Sequence, residues 1–154
     1  MLAQALPDWL SALTPVIWLA GFALFWIIII AGLSRFGGWH VLASRYRARQ
    51  PFSGEVLRGC SGRLGFVNYN RCLWLGANEQ GLYLSVPRLF AFAHPPLFIP
   101  WSDIRATRDK ILWAEIVRFE LGAEPATKLQ VHRRFVDKLE PAARGHLSIA
   151  PRAS

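Results

Sequence analysis

The sequence is poor in several residue types, and each scarcity excludes a class of protein. It contains two cysteines, one methionine and ten acidic residues among 154. Two cysteines are too few for a disulfide scaffold. Charged residues make up only 18% of the chain, against roughly 25% in soluble domains. With an apolar fraction of 53%, the composition also excludes a disordered chain and a coiled coil.

One stretch lacks charge altogether. No residue from Leu13 to Leu33 is acidic or basic, and Ile27 to Ile30 are four consecutive isoleucines. A helix of this length measures about 32 Å, close to the roughly 30 Å hydrocarbon thickness of a bilayer. The segment predicts a transmembrane helix spanning 13–33, in preference to a buried core helix. A cleaved signal peptide would need a basic start, and the first twelve residues contain no Lys or Arg.

Basic residues flank this segment on one side only. No Lys or Arg precedes it, whereas Arg35, Arg45, Arg47 and Arg49 follow it with no acidic residue between them. Positive charge collects on the cytoplasmic side of membrane proteins. The pattern therefore predicts a single-pass protein with its N-terminus outside and its C-terminal domain in the cytoplasm.

The segment 35–51 is interpreted as a basic juxtamembrane linker with a short helix. Gly37 and Gly38 should end the transmembrane helix, and apolar residues then recur at helical spacing from Trp39 to Tyr46. This face either lies on the membrane interface or packs on the domain that follows. Basic side chains beside a bilayer attract anionic headgroups. The candidate lipid-contact residues are Arg35, Arg45, Arg47, Arg49 and Trp39.

From Phe52 onward the apolar period changes to two, as in Val117, Phe119 and Leu121, which alternate with charged residues. Strands are predicted near 53–58, 63–68, 72–76, 81–86, 97–100, 104–108, 112–121 and 127–132. A helix from Arg133 to Glu140 should end at Pro141. The predicted fold is mainly β: a transmembrane α-helix, then a small antiparallel barrel or sandwich with a short C-terminal helix. The predicted units are 1–34 (tail and transmembrane helix), 35–51 (linker), 52–140 (β-domain) and 141–154 (tail).

Two motifs carry a resemblance. They run from Glu79 to Leu84 and from Leu97 to Ile104, the second lying within His-Pro-Pro-Leu-Phe-Ile-Pro-Trp-Ser-Asp-Ile. The region 52–140 resembles pleckstrin-homology-like (PH-like) and GRAM-like domains of bacteria, and the whole chain is similar to bacterial proteins with one N-terminal span. This resemblance implies a PH-like barrel attached to the bacterial inner membrane. The dense basic cluster of phosphoinositide binders is absent, since the first hairpin offers only Arg58, Arg63 and Arg71.

No catalytic or metal-binding constellation is recognisable. The four histidines lack ligand spacing, and His94 is interpreted as a hydrogen-bonding loop residue. The glycines from Gly59 to Gly65 fit a hairpin with a bulge better than a phosphate-binding loop. Cys60 and Cys72 are expected to be reduced thiols in the cytoplasm, although they could pair if the topology were reversed. We therefore expect no catalytic residue, no metal, no cofactor and no enzyme activity.

The net charge of +8 suggests either nucleic acid or an anionic membrane surface as a partner. Trp74, Trp101 and Trp113 near basic residues could form a nucleic-acid platform, but tryptophans within strands are more often buried, so no nucleic-acid partner is expected. The sequence favours a membrane-anchored binding or assembly module at the anionic bilayer surface. The alternative is an accessory subunit that binds an unidentified protein through an edge or groove of the β-domain.

Overall fold

A computed structural model describes residues 7–124 and 126–152, so the ends of both predicted tails lie outside the described residues. The fold is mainly β, as predicted: an eight-stranded sheet curls into a half-barrel, preceded by an apolar helix and followed by a short one. The strands occur in the order β4-β3-β2-β1-β7-β6-β5-β8. The elements are α1 (Asp8–Phe36), α2 (Trp39–Tyr46), β1 (Val56–Leu64), β2 (Val67–Ala77), β3 (Gly81–Ser85), β4 (Leu97–Pro100), β5 (Ile104–Ile111), β6 (Ala114–Leu121), β7 (Thr127–His132), α3 (Arg133–Leu139) and β8 (Ile149–Ala150), with 3-10 turns at Trp101–Asp103 and Glu140–Ala143.

Helix α1 has 29 residues and is therefore about 43 Å long. It is long and apolar enough to span a membrane over Ser11–Phe36, a range that contains the predicted span. Most of its side chains are exposed, but Trp26, Ile30 and Ser34 are buried or half-buried. These three residues are four apart and therefore share one face of the helix. That face contacts the β-domain, whereas most of the other described side chains of α1 are exposed.

The first two strands are longer than predicted. The predicted strands leave breaks at 59–62 and 69–71, whereas β1 and β2 run through these positions and the chain turns at Gly65 and Phe66. The strand pairing shifts between Leu57 and Cys60, and Gly59 there has a φ of 72°. Gly59 thus lies in the bulge that the sequence indicated, and a bulge bends a strand without ending it. The pairing shifts again between Cys60 and Gly62, opposite Arg71 of β2, which has a φ of 56°. The predicted boundaries at 58, 63, 68 and 72 are wrong because both strands pass through these irregularities without ending.

The sheet continues beyond residue 140, where the sequence predicts only a tail. Ala143 and Leu147 are buried in the core. Strand β8 pairs in parallel with β5, with Ile149 opposite Ala106 and Ala150 opposite Thr107. A two-residue strand shows no periodicity, so the sequence pattern could not indicate it.

One hydrophobic core joins the sheet to α2 and α3. Trp39 and Leu42 of α2 are buried in it, as are Val136 and Leu139 of α3. The helix predicted in the linker therefore exists, and of its two possible placements the structure adopts packing on the β-domain. Its far end is fixed by Tyr46, whose hydroxyl donates to Asp103 Oδ2 at 2.8 Å.

The connection between α1 and α2 is held tightly against the sheet. Gly65, in the turn between β1 and β2, has a φ of 56°, and a Cβ there would lie 2.7 Å from the Gly37 carbonyl oxygen. No side chain fits at that distance, so the backbones can meet only because residue 65 is glycine. The β-domain is therefore seated directly on the C-terminal end of α1.

Candidate lipid-facing site

The candidate site lies where α1, α2 and the loop between β3 and β4 meet. This loop, residues 86–96, is called the β3–β4 loop below. Two side chains fix it: Ser34 Oγ of α1 donates to the Ala93 carbonyl oxygen at 2.6 Å, and Trp39 Nε1 of α2 donates to the Pro95 carbonyl oxygen at 2.9 Å. Both helices therefore hold the loop beside the end of α1.

A buried aromatic cluster supports this junction from inside. The His94 ring lies 5.1 Å from Trp39 and 5.8 Å from Tyr69, centroid to centroid. His94 Nε2 and the Tyr69 hydroxyl are hydrogen-bonded at 3.0 Å, which agrees with the interpretation of His94 as a hydrogen-bonding residue. Burial lowers the pKa of His94 and raises the pKa of Tyr69. The pair is therefore neutral near pH 7.

A basic cleft of about 390 Å³ opens beside the junction, between α1, α2 and the β3–β4 loop. Its wall brings together Arg35 at the end of α1, His40 and Arg47, with Phe92 on the loop side. The backbone of Arg47 is fixed because it forms an isolated bridge with Leu97 at the start of β4. Two of the four predicted arginines thus converge, although twelve positions separate them in the sequence.

The other predicted arginines line a neighbouring cleft of about 370 Å³. Arg45, Arg47 and Arg49 meet there with Tyr83 and Phe98 from the sheet. All four arginines are exposed, and within the described residues none of them forms an ion pair. Some arginines of the sheet, by contrast, have acidic partners, such as Arg118 with Asp109. The linker arginines therefore keep their charge available to an external anion.

Trp39, the fifth predicted lipid-contact residue, occupies a different position. Its side chain is 0% exposed, within the core and the aromatic cluster. It cannot contact lipid in this conformation. The sequence left open whether this face of α2 meets lipid or protein, and in the structure it packs against protein. The arginines of the first hairpin also lie elsewhere, and the guanidinium of Arg58 stacks over Trp74 at 4.9 Å.

The described residues contain no group of three histidine, cysteine or acidic side chains that could hold a metal ion. Cys60 and Cys72 are both free thiols. Burial raises the pKa of each thiol, which disfavours the nucleophilic thiolate. What the site offers chemically is cationic and apolar surface.

No family model matches the sequence, and no curated protein matches it either. The two motifs that carry the resemblance can still be located in the fold. The first forms the turn between β2 and β3 together with most of β3, and the second forms β4, a 3-10 turn and the first residue of β5. Both therefore lie in or beside regular strands of the half-barrel.

Sequence reasoning did not identify the β3–β4 loop as part of the site. Leu89 and Phe92 in this loop are 64% and 55% exposed. A signal was present, since Leu89 to Ala93 is an apolar run between Pro87 and Pro95, where exposed loops are usually polar. Only the contact with α1, which the sequence does not show, gives this run its importance.

Proposed function

We propose that the protein is a single-pass, membrane-anchored and non-enzymatic binding module, whose PH-like β-domain sits at an anionic membrane surface. In this proposal α1 spans the bacterial inner membrane, the N-terminus lies outside, and the β-domain lies in the cytoplasm. The observation that carries the proposal is the seating of the β-domain on α1. Arg35 and Arg47 belong to one cleft at the end of the apolar helix, so both would lie at the level of the headgroups.

Charge supports a lipid contact at this place. Each basic residue close to an anionic bilayer surface contributes about 1 kcal/mol of attraction, which salt screens. The four linker arginines lack ion-pair partners among the described residues, so no internal contact must break before they meet phosphate. The short helix and the Arg47 bridge fix the backbones of Arg45 and Arg47, which lowers the entropy cost of binding.

The test uses the full chain in neutral detergent, titrated with phosphatidylglycerol or phosphatidylcholine at low and high salt. We expect the anionic lipid to raise the thermal unfolding midpoint more than the neutral lipid, and salt to remove the difference. An Arg35→Gln, Arg47→Gln double variant should lose most of this difference. The matched control is the double variant Arg108→Gln, Arg134→Gln. It removes the same amount of charge from two exposed arginines, one in β5 and one in α3. If both double variants lose the effect equally, the linker is not the lipid site.

A protein partner is the second candidate, favoured by a different observation. The turn between β5 and β6 exposes three apolar side chains in a row, Ile111, Leu112 and Trp113, the last of them 85% exposed. Such patches often mark protein contacts. The sheet edges themselves are poor docking sites, because Arg47 bridges β4 and the two-residue β8 covers β5. Loss of a co-purified protein on Trp113→Ser substitution in the full chain would favour this candidate.

A further inference from the structure

The β3–β4 loop runs alongside the apolar helix. The Phe90 ring packs against Trp26 of α1 with 6.0 Å between ring centroids. Further along, Ala93 accepts the hydrogen bond from Ser34. Trp26 precedes Leu33, the end of the predicted span, by about 10 Å along the helix axis. A segment that touches Trp26 is therefore beside the part of α1 that the bilayer would surround.

The loop exposes apolar side chains at this same place. Leu89 and Phe92 are 64% and 55% exposed, next to a helix surface that is itself apolar and exposed. The loop and the helix therefore form one continuous apolar surface. Water is a poor solvent for such a surface, whereas the acyl chains that would surround α1 suit it.

Part of the backbone of the loop is paired internally. Backbone N–H groups donate within the loop from Phe90 to Pro87, from Ala91 to Arg88 and from Ala93 to Phe90, at 2.9, 3.2 and 3.3 Å. Pro87, Pro95 and Pro96 have no N–H to satisfy. Irregular backbone enters the hydrocarbon region only when its polar groups are paired. The N–H groups of Leu89 and Phe92 are not among these backbone bonds, so the loop backbone suits the level of the headgroups while the two side chains reach toward the acyl chains.

One charged residue sets the depth of the loop. Arg88 is exposed beside Leu89, and a long arginine side chain can keep its charged end among the headgroups while its stem lies in apolar surroundings. This arrangement suits the boundary between headgroups and acyl chains rather than the middle of the bilayer.

From these contacts we infer that the β3–β4 loop is a second membrane-embedded element, with Leu89 and Phe92 inserted among acyl chains of the leaflet that holds the C-terminal half of α1. The inference rests on the proposed function, because it needs α1 to lie in a bilayer. It adds a hydrophobic contact to the electrostatic one. Its occupant is the lipid that surrounds α1.

The test places a fluorescent label at single cysteines of the full chain in lipid nanodiscs. Leu89→Cys and Phe92→Cys each carry the environment-sensitive nitrobenzoxadiazole group, in a Cys72→Ser background where the remaining Cys60 is buried. Two controls carry the same label. Leu19→Cys, in the exposed middle of α1, reports the membrane interior. Leu112→Cys reports an exposed apolar position in the turn between β5 and β6, which lies about 23 Å from the opposite end of these strands beside α2.

Quenching by lipids brominated on their acyl chains distinguishes the outcomes. We expect at least twofold stronger quenching at positions 89 and 92 than at position 112, approaching that at position 19. If position 19 is quenched while 89 and 92 behave like 112, the loop lies in water and the inference fails, although the anchor stands. If position 19 is not quenched, the membrane anchor fails and the inference fails with it. Circular dichroism of each labelled protein must show the β-rich fold before the comparison counts.

Discussion

Among individual residues, His94 connects distant parts of the fold. It contacts Trp39 from α2 and Tyr69 from β2, so three distant segments of the chain meet at one imidazole. The Phe90 carbonyl acts to raise its pKa, but the larger effect of burial lowers it overall. Charging this ring in place would put a cation into an apolar cluster, which is energetically unfavourable.

The stability of the protein should therefore decrease in mild acid. Because the pKa of His94 is lower in the folded state than its ordinary value of about 6.5, the unfolded state binds the proton first as the pH falls. The free energy of unfolding should be nearly constant between about pH 7 and 8 and fall below about pH 6.5, by at most roughly 1.4 kcal/mol per pH unit. Urea midpoints of the full chain in detergent, measured from pH 5 to 8, check this.

The exposed His40 provides the control for this pH dependence. A His40→Gln variant should keep the acid-induced fall, and a His94→Gln variant that retains the β-rich fold should lose most of it. A fall of the same size in both variants would assign the effect to other groups.

At the scale of elements, α2 belongs to the β-domain although it follows the apolar helix α1 directly. Its buried face inserts Trp39 and Leu42 into the core of the half-barrel. The helix has only eight residues, too few to be stable alone, so this packing is what maintains it. The stability of the sheet and the position of the linker arginines thus depend on the same contacts.

Replacing Trp39 should therefore destabilise the whole domain. We expect Trp39→Ala to reduce the free energy of unfolding by about 3–5 kcal/mol, the usual cost of truncating a fully buried large side chain. Trp113→Ala is the matched control, since this tryptophan is exposed at a turn and its loss should cost less than about 0.5 kcal/mol. Denaturant unfolding followed by far-ultraviolet circular dichroism measures both. Equal effects would mean that α2 does not contribute to the core.

The same helix shows how far sequence reasoning could reach. The spacing of its apolar residues predicted the helix, and alternation predicted the strand that carries Val117, Phe119 and Leu121. Spacing gives the direction of a face but not what covers it, so lipid and protein remained equal alternatives for Trp39. The glycines of β1 were misleading at the strand boundaries, because a bulge and a turn both use them. The convergence of Arg35 and Arg47 depends on how two helices and a loop pack together, and no local pattern encodes that.

For the whole molecule, the distribution of charge predicts an orientation with the C-terminus in the cytoplasm. Arg35 lies in the last turn of α1, the other three linker arginines follow the helix, and no Lys or Arg precedes it. A fluorescent reporter fused after Ser154 should be fluorescent in bacterial cells, because green fluorescent protein folds in the cytoplasm, and a periplasmic phosphatase at the same position should be inactive. The two reporters check each other, since one depends on the cytoplasm and the other on the periplasm. Phosphatase activity with a dark fluorescent fusion would reverse the orientation.

The packing of α2 on the sheet also affects the order in which parts of the domain can fold. Trp39 is synthesised roughly 100 residues before Leu147, and both belong to one hydrophobic core, so many of its contacts are distant along the chain. A nascent chain with α1 already inserted would hold α2 at the membrane surface, while the strands that bury it are still being made. If α1 is the proposed anchor, the half-barrel would then assemble around a tryptophan tethered to the bilayer, and insertion of the anchor would be an early step in the folding of the domain.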